Sequence, residues 1–326
     1  MRICVFGAAG HYGYVSEALG MDDSLEVCGI ATAGESGIEN LRNAFPGAKE
    51  YETLEAMLEG EQPDLVAVTP EFHRTAGAVI ISLAYGAHVF ADKPLALTEE
   101  ELDDVEAVWH ESGKALGAMF GICNSSWYRT MDAAVKEGEI GEVRLIHGQK
   151  SYKLGSRPNF YKNRKTFGGL IPWVGIHALD WVMQFGGKPK TVFSGASSQH
   201  NRDHGDLEVS ASLLLTFENG AVGTVSADYF RPVGSSRHDD DRLRLTGTRG
   251  MLEAIHQKVY LENEEARREL ELLPPTNCFL DFVTHIEAGT AREDALRAIR
   301  VTRTALRARK AADENRAVDC SDIFGE

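Results

Sequence analysis

Arg2-Ile3-Cys4-Val5-Phe6-Gly7-Ala8-Ala9-Gly10-His11-Tyr12-Gly13, directly after Met1, is the stretch whose reading decides the fold. An apolar run from Arg2 to Phe6 stops at a glycine-rich turn, and a helical pattern follows. That order predicts a strand, a tight turn and a helix N-terminus, where backbone N–H groups and a positive helix dipole meet the pyrophosphate of a dinucleotide. Gly7, Gly10 and Gly13 are then expected to serve the bend, the cofactor's approach and the packing of the helix, in that order. The spacing G-x-x-G-x-x-G departs from the usual G-x-G-x-x-G, with Ala8 and Ala9 between the first two glycines. The strand-to-helix position therefore carries the inference more than the glycines do.

Working outward, short apolar runs alternate with helical patterns through residue 120: Leu25 to Ala31, Asp64 to Thr69, Ala87 to Ala91 and Ala115 to Phe120. Strands covered on both faces have this composition, and intervening helices imply a parallel sheet. A helix from about Glu99 to Glu111 is punctuated by a Thr98/Glu101 capping box and by Gly113. Residues 1–122 thus read as a doubly wound α/β dinucleotide-binding Rossmann domain.

After Cys123 the rhythm changes. A helix ending at Gly138 precedes a long alternating stretch from Val143, and Glu218-Asn219-Gly220 is a hairpin signal between Ser210–Phe217 and Ala221–Asp228. Arg242 to Thr246 and Met251 to Ile255 read as a further pair, and helical patterns lie near Cys278 to Glu287 and Arg292 to Ala312. Residues 123–326 therefore read as an α+β domain with an open-faced, mainly antiparallel sheet, expected to bind substrate and to oligomerise. At 326 residues, two domains are the natural expectation.

A formal charge of −15 repels phosphate backbones and anionic lipid, which argues against nucleic acid or membrane as partners. No apolar run approaches the roughly 18 residues of a membrane helix, and no signal-peptide flank precedes the first strand. Five cysteines, Cys4, Cys28, Cys123, Cys278 and Cys320, form no C-x-x-C pair and suit a reducing cytoplasm. His200 and His204 have ligand-like spacing but no evident third partner, so no metal is expected. The second strand runs Val27-Cys28-Gly29-Ile30-Ala31-Thr32-Ala33-Gly34, without the usual acidic residue for the ribose. Thr32 is the candidate there, and both NAD and NADP stay open as cofactors. His11 and Tyr12 are candidate cofactor contacts within the turn.

Three further segments stand out: Thr69-Pro70-Glu71-Phe72-His73, Asp92-Lys93-Pro94 and Gly175-Ile176-His177-Ala178-Leu179-Asp180. Together they resemble the Gfo/Idh/MocA oxidoreductases, as a cofactor loop, the E-K-P motif and the G-x-H-x-x-D segment of that family. The resemblance implies a Rossmann domain joined to an open-faced sheet domain, NAD(P)-linked oxidation or reduction of sugars and polyols, and a homodimer or homotetramer. It assigns cofactor contacts to Gly7, Ala9, Gly10, His11, Tyr12, Gly13, Thr32, Thr69, Pro70, His73, Asp92 and Lys93. It assigns catalysis to Lys93 and His177, and substrate contacts to Asp180, Tyr161 and Lys162; Trp173 is a candidate substrate contact by its own chemistry, stacking on a sugar's C–H face or excluding water. Arg164 lies in the same polar loop, and Arg129 and the 231–242 arginines are weaker candidates for an anionic substrate.

Residue chemistry agrees with these assignments. Lys93 lies after a buried strand, at the carboxyl edge where this fold meets its ligands. Bringing a lysine from about 10.4 to about 7–8 for proton transfer needs a shift of roughly 3 units, about 4 kcal/mol, which burial and an oxidised nicotinamide both favour. Helical spacing puts Asp180, Trp181 and Gln184 near the face of His177. The family pattern has an Asp four residues before this histidine, where this chain has Trp173, and an indole accepts no proton. Alternative readings are a sensor of dinucleotide or sugar without turnover, and an enzyme using transient oxidation for glycoside cleavage or epimerisation.

Overall fold

A computed structural model describes residues 1–325. By contacts the chain divides into two compact units. One comprises Met1–Gly121, Lys165–Gly168 and Asn277–Thr302, the other Ile122–Arg164, Gly169–Thr276 and Arg303–Glu326.

Strands β1 (Arg2–Phe6), β2 (Glu26–Ala31), β3 (Lys49–Tyr51), β4 (Leu65–Val68), β5 (His88–Ala91) and β6 (Leu116–Ala118) form the sheet of the first unit. They alternate with helices α1 (Gly13–Leu19), α2 (Ile38–Ala44), α3 (Leu54–Glu61), α4 (Thr75–Ala84) and α5 (Glu99–Ser112). All neighbours pair in parallel, in the order β3-β2-β1-β4-β5-β6. The order reverses between β1 and β4, and in such sheets ligands sit beyond the carboxyl ends of the strands at that point. Ile3, Val5 and Leu65 through Val68 have no exposed surface, as helices on both faces require. Cys4 and Cys28 meet across β1 and β2 with sulfurs 3.8 Å apart. Thr98 and Glu101 form the capping box of α5, worth about 1 kcal/mol, and Gly113 closes the helix at φ +64°.

The chain continues through α6 (Ser126–Lys136), α7 (Arg164–Phe167) and α8 (Ile176–Gly186). Around them lie β7 (Val143–Tyr152), β8 (Pro189–Ser197), β9 (Ser210–Phe217), β10 (Val222–Asp228), β11 (Asp239–Gly247), β12 (Gly250–Ile255), β13 (Lys258–Asn263), β14 (Arg267–Glu269) and β15 (Val318–Asp319). The nine form one sheet ordered β14-β13-β12-β11-β7-β10-β9-β8-β15, antiparallel except that β10 pairs with β7 in parallel. The Glu218-Asn219-Gly220 hairpin forms with Gly220 at φ +79° and Asn219 accepting from the Ala221 N–H. Alternate residues of β9 and β10, among them Leu213, Leu215 and Val225, are buried, and α8 packs on β7 and β10. Leu145, Phe193 and Leu214 are exposed on alternate positions.

Two last helices are α9 (Cys278–Ala288) and α10 (Arg292–Glu314). Residues 277–302 belong to the first unit although they follow the second sheet in sequence. Phe279 and Phe282 of α9 lie 5.6 and 4.9 Å from the Phe90 ring, and a Cβ on Gly117 would come within 2.8 Å of Phe282. Asn277 caps α9 by accepting from Phe279 and Leu280, while its amide donates to the Tyr14 carbonyl.

Candidate functional site

The glycine turn is held by the segment after β4. Gly7 has φ +87°, and a Cβ there would lie 2.2 Å from the Pro70 nitrogen, so both conformation and close approach demand glycine. The Thr69 carbonyl accepts from Ala9 and Gly10 at 3.0 and 3.1 Å, and its hydroxyl donates to the Gly7 carbonyl at 2.6 Å. The N–H groups of Tyr12 and Gly13, at the start of α1, make no such bond. N–H groups at a helix start without an intrahelical acceptor are of the kind that bind a pyrophosphate.

Gly10 is needed for a reason the sequence did not announce. Its Cβ would fall 1.9 Å from Asp92 Oδ2, so the absent side chain leaves room for the carboxylate after β5. Gly13 is the opposite case. A Cβ there would meet nothing within 4 Å, so helix packing does not explain this glycine, and that expectation is corrected.

Asp92, 1% exposed, accepts from the His11 N–H at 2.8 Å, from His11 Nδ1 at 2.9 Å and from the Lys93 N–H at 2.8 Å. Burial pushes its pKa up, but the charge and hydrogen bonds of His11 and the nearby Lys93 outweigh that and hold it below the usual carboxylate range. Lys93 itself is 2% exposed. The His11 ring, expected to touch a cofactor, is thus engaged by Asp92 and stacked on Tyr14, and Tyr12 meets Phe45 edge-on.

At the end of β2, Thr32 is buried. Sequence reading missed the acid nearby: Glu35, its side chain 6% exposed, accepts from Arg74 Nη1 at 2.9 Å and from the Glu71 N–H at 3.1 Å. Arg74 also donates to the Ala33 carbonyl at 3.4 Å and lies over the Phe6 ring. Burial raises the Glu35 pKa against the pull of these donors. His73, in the 3₁₀ turn Phe72–Arg74, stays partly exposed, 4.0 Å from Glu71.

In the second unit a π-helical turn, Ile171–Gly175, leads into α8. It carries Trp173, buried, and α8 carries His177 and Asp180, 4% and 0% exposed. Asp180 accepts from Cys123 Sγ at 3.1 Å and from Gln184 Nε2 at 3.4 Å. Trp181 is buried edge-on to Trp127, so of the expected polar stripe only Gln184 is exposed. Tyr161 is buried edge-on to Trp173 at 6.4 Å, whereas Lys162 is exposed. Arg164 is committed to Glu208 and Asp313, and Arg129 to the Pro274 carbonyl. Arg231, Arg237 and Arg242 are paired with Asp239 or Asp240, and His204 Nδ1 faces backbone carbonyls. These pairings explain the arginines structurally.

Residues 1–120 match the NAD-binding Rossmann fold of the Gfo/Idh/MocA oxidoreductase family, and residues 128–253 match that family's C-terminal domain. 1,5-Anhydro-D-fructose reductase of Ensifer adhaerens is 30% identical over 84% of this chain and 80% of its own. Myo-inositol 2-dehydrogenase of Thermotoga maritima is 24% identical over the whole of both chains. A solved structure from Thermotoga maritima, provisionally described as an oxidoreductase, superposes with a TM-score of 0.93 at 38% identity, covering 98% of this chain and all of that one. Motifs, both sheets and both domain matches thus converge, and the chain belongs to the Gfo/Idh/MocA family of NAD-binding oxidoreductases.

Proposed function

We propose that this protein is a nicotinamide-dependent dehydrogenase or reductase of a sugar, polyol or related hydroxyl compound, with Lys93 as its proton-transfer group and His177 assisting. One observation carries the reading: Lys93 is a buried lysine fixed beside the dinucleotide turn, because the Asp92 carboxylate, in the space Gly10 leaves, accepts from both the Lys93 N–H and His11. The bound nicotinamide supplies the acceptor or donor of hydride. Lys93 takes the proton of the substrate hydroxyl, and fixed donors stabilise the charge developing on that oxygen. His177 and Asp180 bind and orient substrate hydroxyls, with Trp173 and Tyr161 excluding water. The relatives named for a polyol and for an anhydro sugar support this substrate class.

NAD is the preferred cofactor on this reading. An arginine near the end of the second strand can bind a 2′-phosphate, but Arg74 is already neutralised by Glu35. The exposed Leu145, Phe193 and Leu214 support association of identical subunits, and five cysteines held as thiols support a reducing, cytoplasmic setting. Absorbance of reduced nicotinamide across a sugar and polyol panel tests the reading. Lys93→Met should lower kcat by about 10²–10⁴ on the best substrate. Full turnover by that variant would remove Lys93 from the mechanism. Ligand-induced stabilisation without turnover would favour a sensor, the reading that Trp173 in place of the family's Asp motivates.

A further inference from the structure

The neighbourhood of Trp173 in the second unit is built from aromatic rings and an unpaired cation. Tyr161 meets Trp173 edge-on, and the Arg157 guanidinium lies 5.7 Å from the Tyr161 centroid and 4.6 Å from that of Tyr229. Tyr229 stacks on Tyr152, which stacks on His238.

Two donors in this cluster lack acceptors. Arg157 donates from Nη2 to the Lys153 carbonyl at 3.0 Å, yet its Nε is buried with no hydrogen-bond partner among the described residues. The Tyr229 hydroxyl, on a residue 3% exposed, is in the same position. Among the described residues Arg157 also forms no ion pair, in a protein of charge −15 whose Lys150, Arg164, Arg231, Arg237 and Arg242 are all paired with carboxylates. Lys153, the other unpaired cation nearby, is occupied by the Ser235 carbonyl. Buried donors ordinarily have partners, so a half-exposed guanidinium whose Nε is buried, beside a buried phenol, both with open donors, is suited to an anionic oxygen group from a ligand.

We infer that the substrate is a polyhydroxy acid, an aldonate or uronate, whose carboxylate is held by Arg157 and the Tyr229 hydroxyl. This rests on the sugar or polyol reading above and narrows its class. A planar guanidinium and one phenol match the two oxygens of a carboxylate. A phosphate monoester brings a third oxygen and a second charge, whereas Lys153, near Arg157 in sequence, already donates to the Ser235 carbonyl. Trp173 and Tyr161 then lie against the carbon chain, as aromatic rings do against C–H faces.

The test uses the full chain loaded with NAD. Calorimetric titrations with D-glucuronate against D-glucose, D-gluconate against D-sorbitol, and glucose 6-phosphate run beside steady-state hydride transfer on the same compounds. At least one acid should bind about 10-fold tighter than its neutral partner, as a charged hydrogen-bonded contact implies. Arg157→Gln should weaken that acid about 30-fold while changing the neutral partner less than about 3-fold. Arg157→Lys should recover only part of the loss, and Tyr229→Phe should lose less than Arg157→Gln. Acids bound no tighter than alcohols, equal losses for both classes in Arg157→Gln, or glucose 6-phosphate outranking both acids would each overturn the inference. Arg157-dependent acid binding without hydride transfer on any compound would support it and refute the dehydrogenase reading instead.

Discussion

Replacing Gly10 by alanine sets the new methyl 1.9 Å from Asp92 Oδ2, whereas ordinary contact begins at 3.4 Å. The carboxylate, or the turn, must move by about 1.5 Å, more than packed side chains absorb without strain. Asp92 accepts from the His11 N–H, the His11 ring and the Lys93 N–H, and such a shift breaks at least one of these bonds. Hydrogen bonds to a charged group contribute about 1.5–3 kcal/mol each, and overpacking costs about 1–3, so non-additive losses point to roughly 2–4 kcal/mol. Gly13→Ala is the matched control: its methyl meets nothing, and alanine gains about 0.5–1 kcal/mol of helix propensity. Urea unfolding followed by circular dichroism, with NADH binding followed by fluorescence, measures both variants. The expected pattern is a destabilised Gly10→Ala with weakened NADH binding beside a neutral or stabilised Gly13→Ala. A Gly10→Ala protein within about 0.5 kcal/mol of wild type, binding NADH normally, would refute the link between turn and carboxylate.

Other outcomes follow from the same geometry. Because Asp92 is held below its ordinary pKa, the stability it contributes is fully present above about pH 4 and fades as pH falls through the lowered value; the stability gap between wild type and Asp92→Asn should narrow in acid. Glu35→Gln uncovers the Arg74 guanidinium, so the ratio of NADP to NAD affinity should rise by about 10-fold in parallel titrations, one charge-assisted contact being gained. Asp241→Ala strands the 2%-exposed Lys150 ammonium, which Asp241 holds at 2.5 Å, and should cost about 3–5 kcal/mol at neutral pH. Burial already lowers the Lys150 pKa, so that loss should shrink as pH rises toward the ordinary lysine range and the stranded amine sheds its proton.

Periodic, capped or turn-marked elements were legible in the sequence. The glycine turn, the apolar strands around it, the Thr98/Glu101 cap and the Glu218–Gly220 hairpin all announce themselves by local chemistry. Strand β3 did not, since Lys49 and Glu50 are exposed and only its pairing with β2 makes it a strand. The Glu35–Arg74 pair spans 39 residues and the Gly10–Asp92 fit spans more, so both depend on which strands become neighbours. Arg157 gave no signal either, being one arginine in a polar loop until Tyr161 and Tyr229 are seen beneath it. A buried tyrosine just after an alternating strand was the available hint.

The return of residues 277–302 to the first unit also bears on how the protein is made. Translation of the Rossmann strands ends near residue 118, yet the Phe279 and Phe282 that cover Phe90 and Gly117 emerge some 160 residues later. At about 5–20 residues per second the nascent sheet waits about 10–30 s with that apolar flank uncovered. During that interval the apolar surface around Phe90 and Gly117 is open to misassembly, and a chaperone or the ribosome surface is the natural cover for it. A fragment ending at residue 121 would make the delay permanent. It should remain aggregation-prone until supplied with a peptide spanning 277–302, which ties the folding of the cofactor domain to completion of nearly the whole polypeptide.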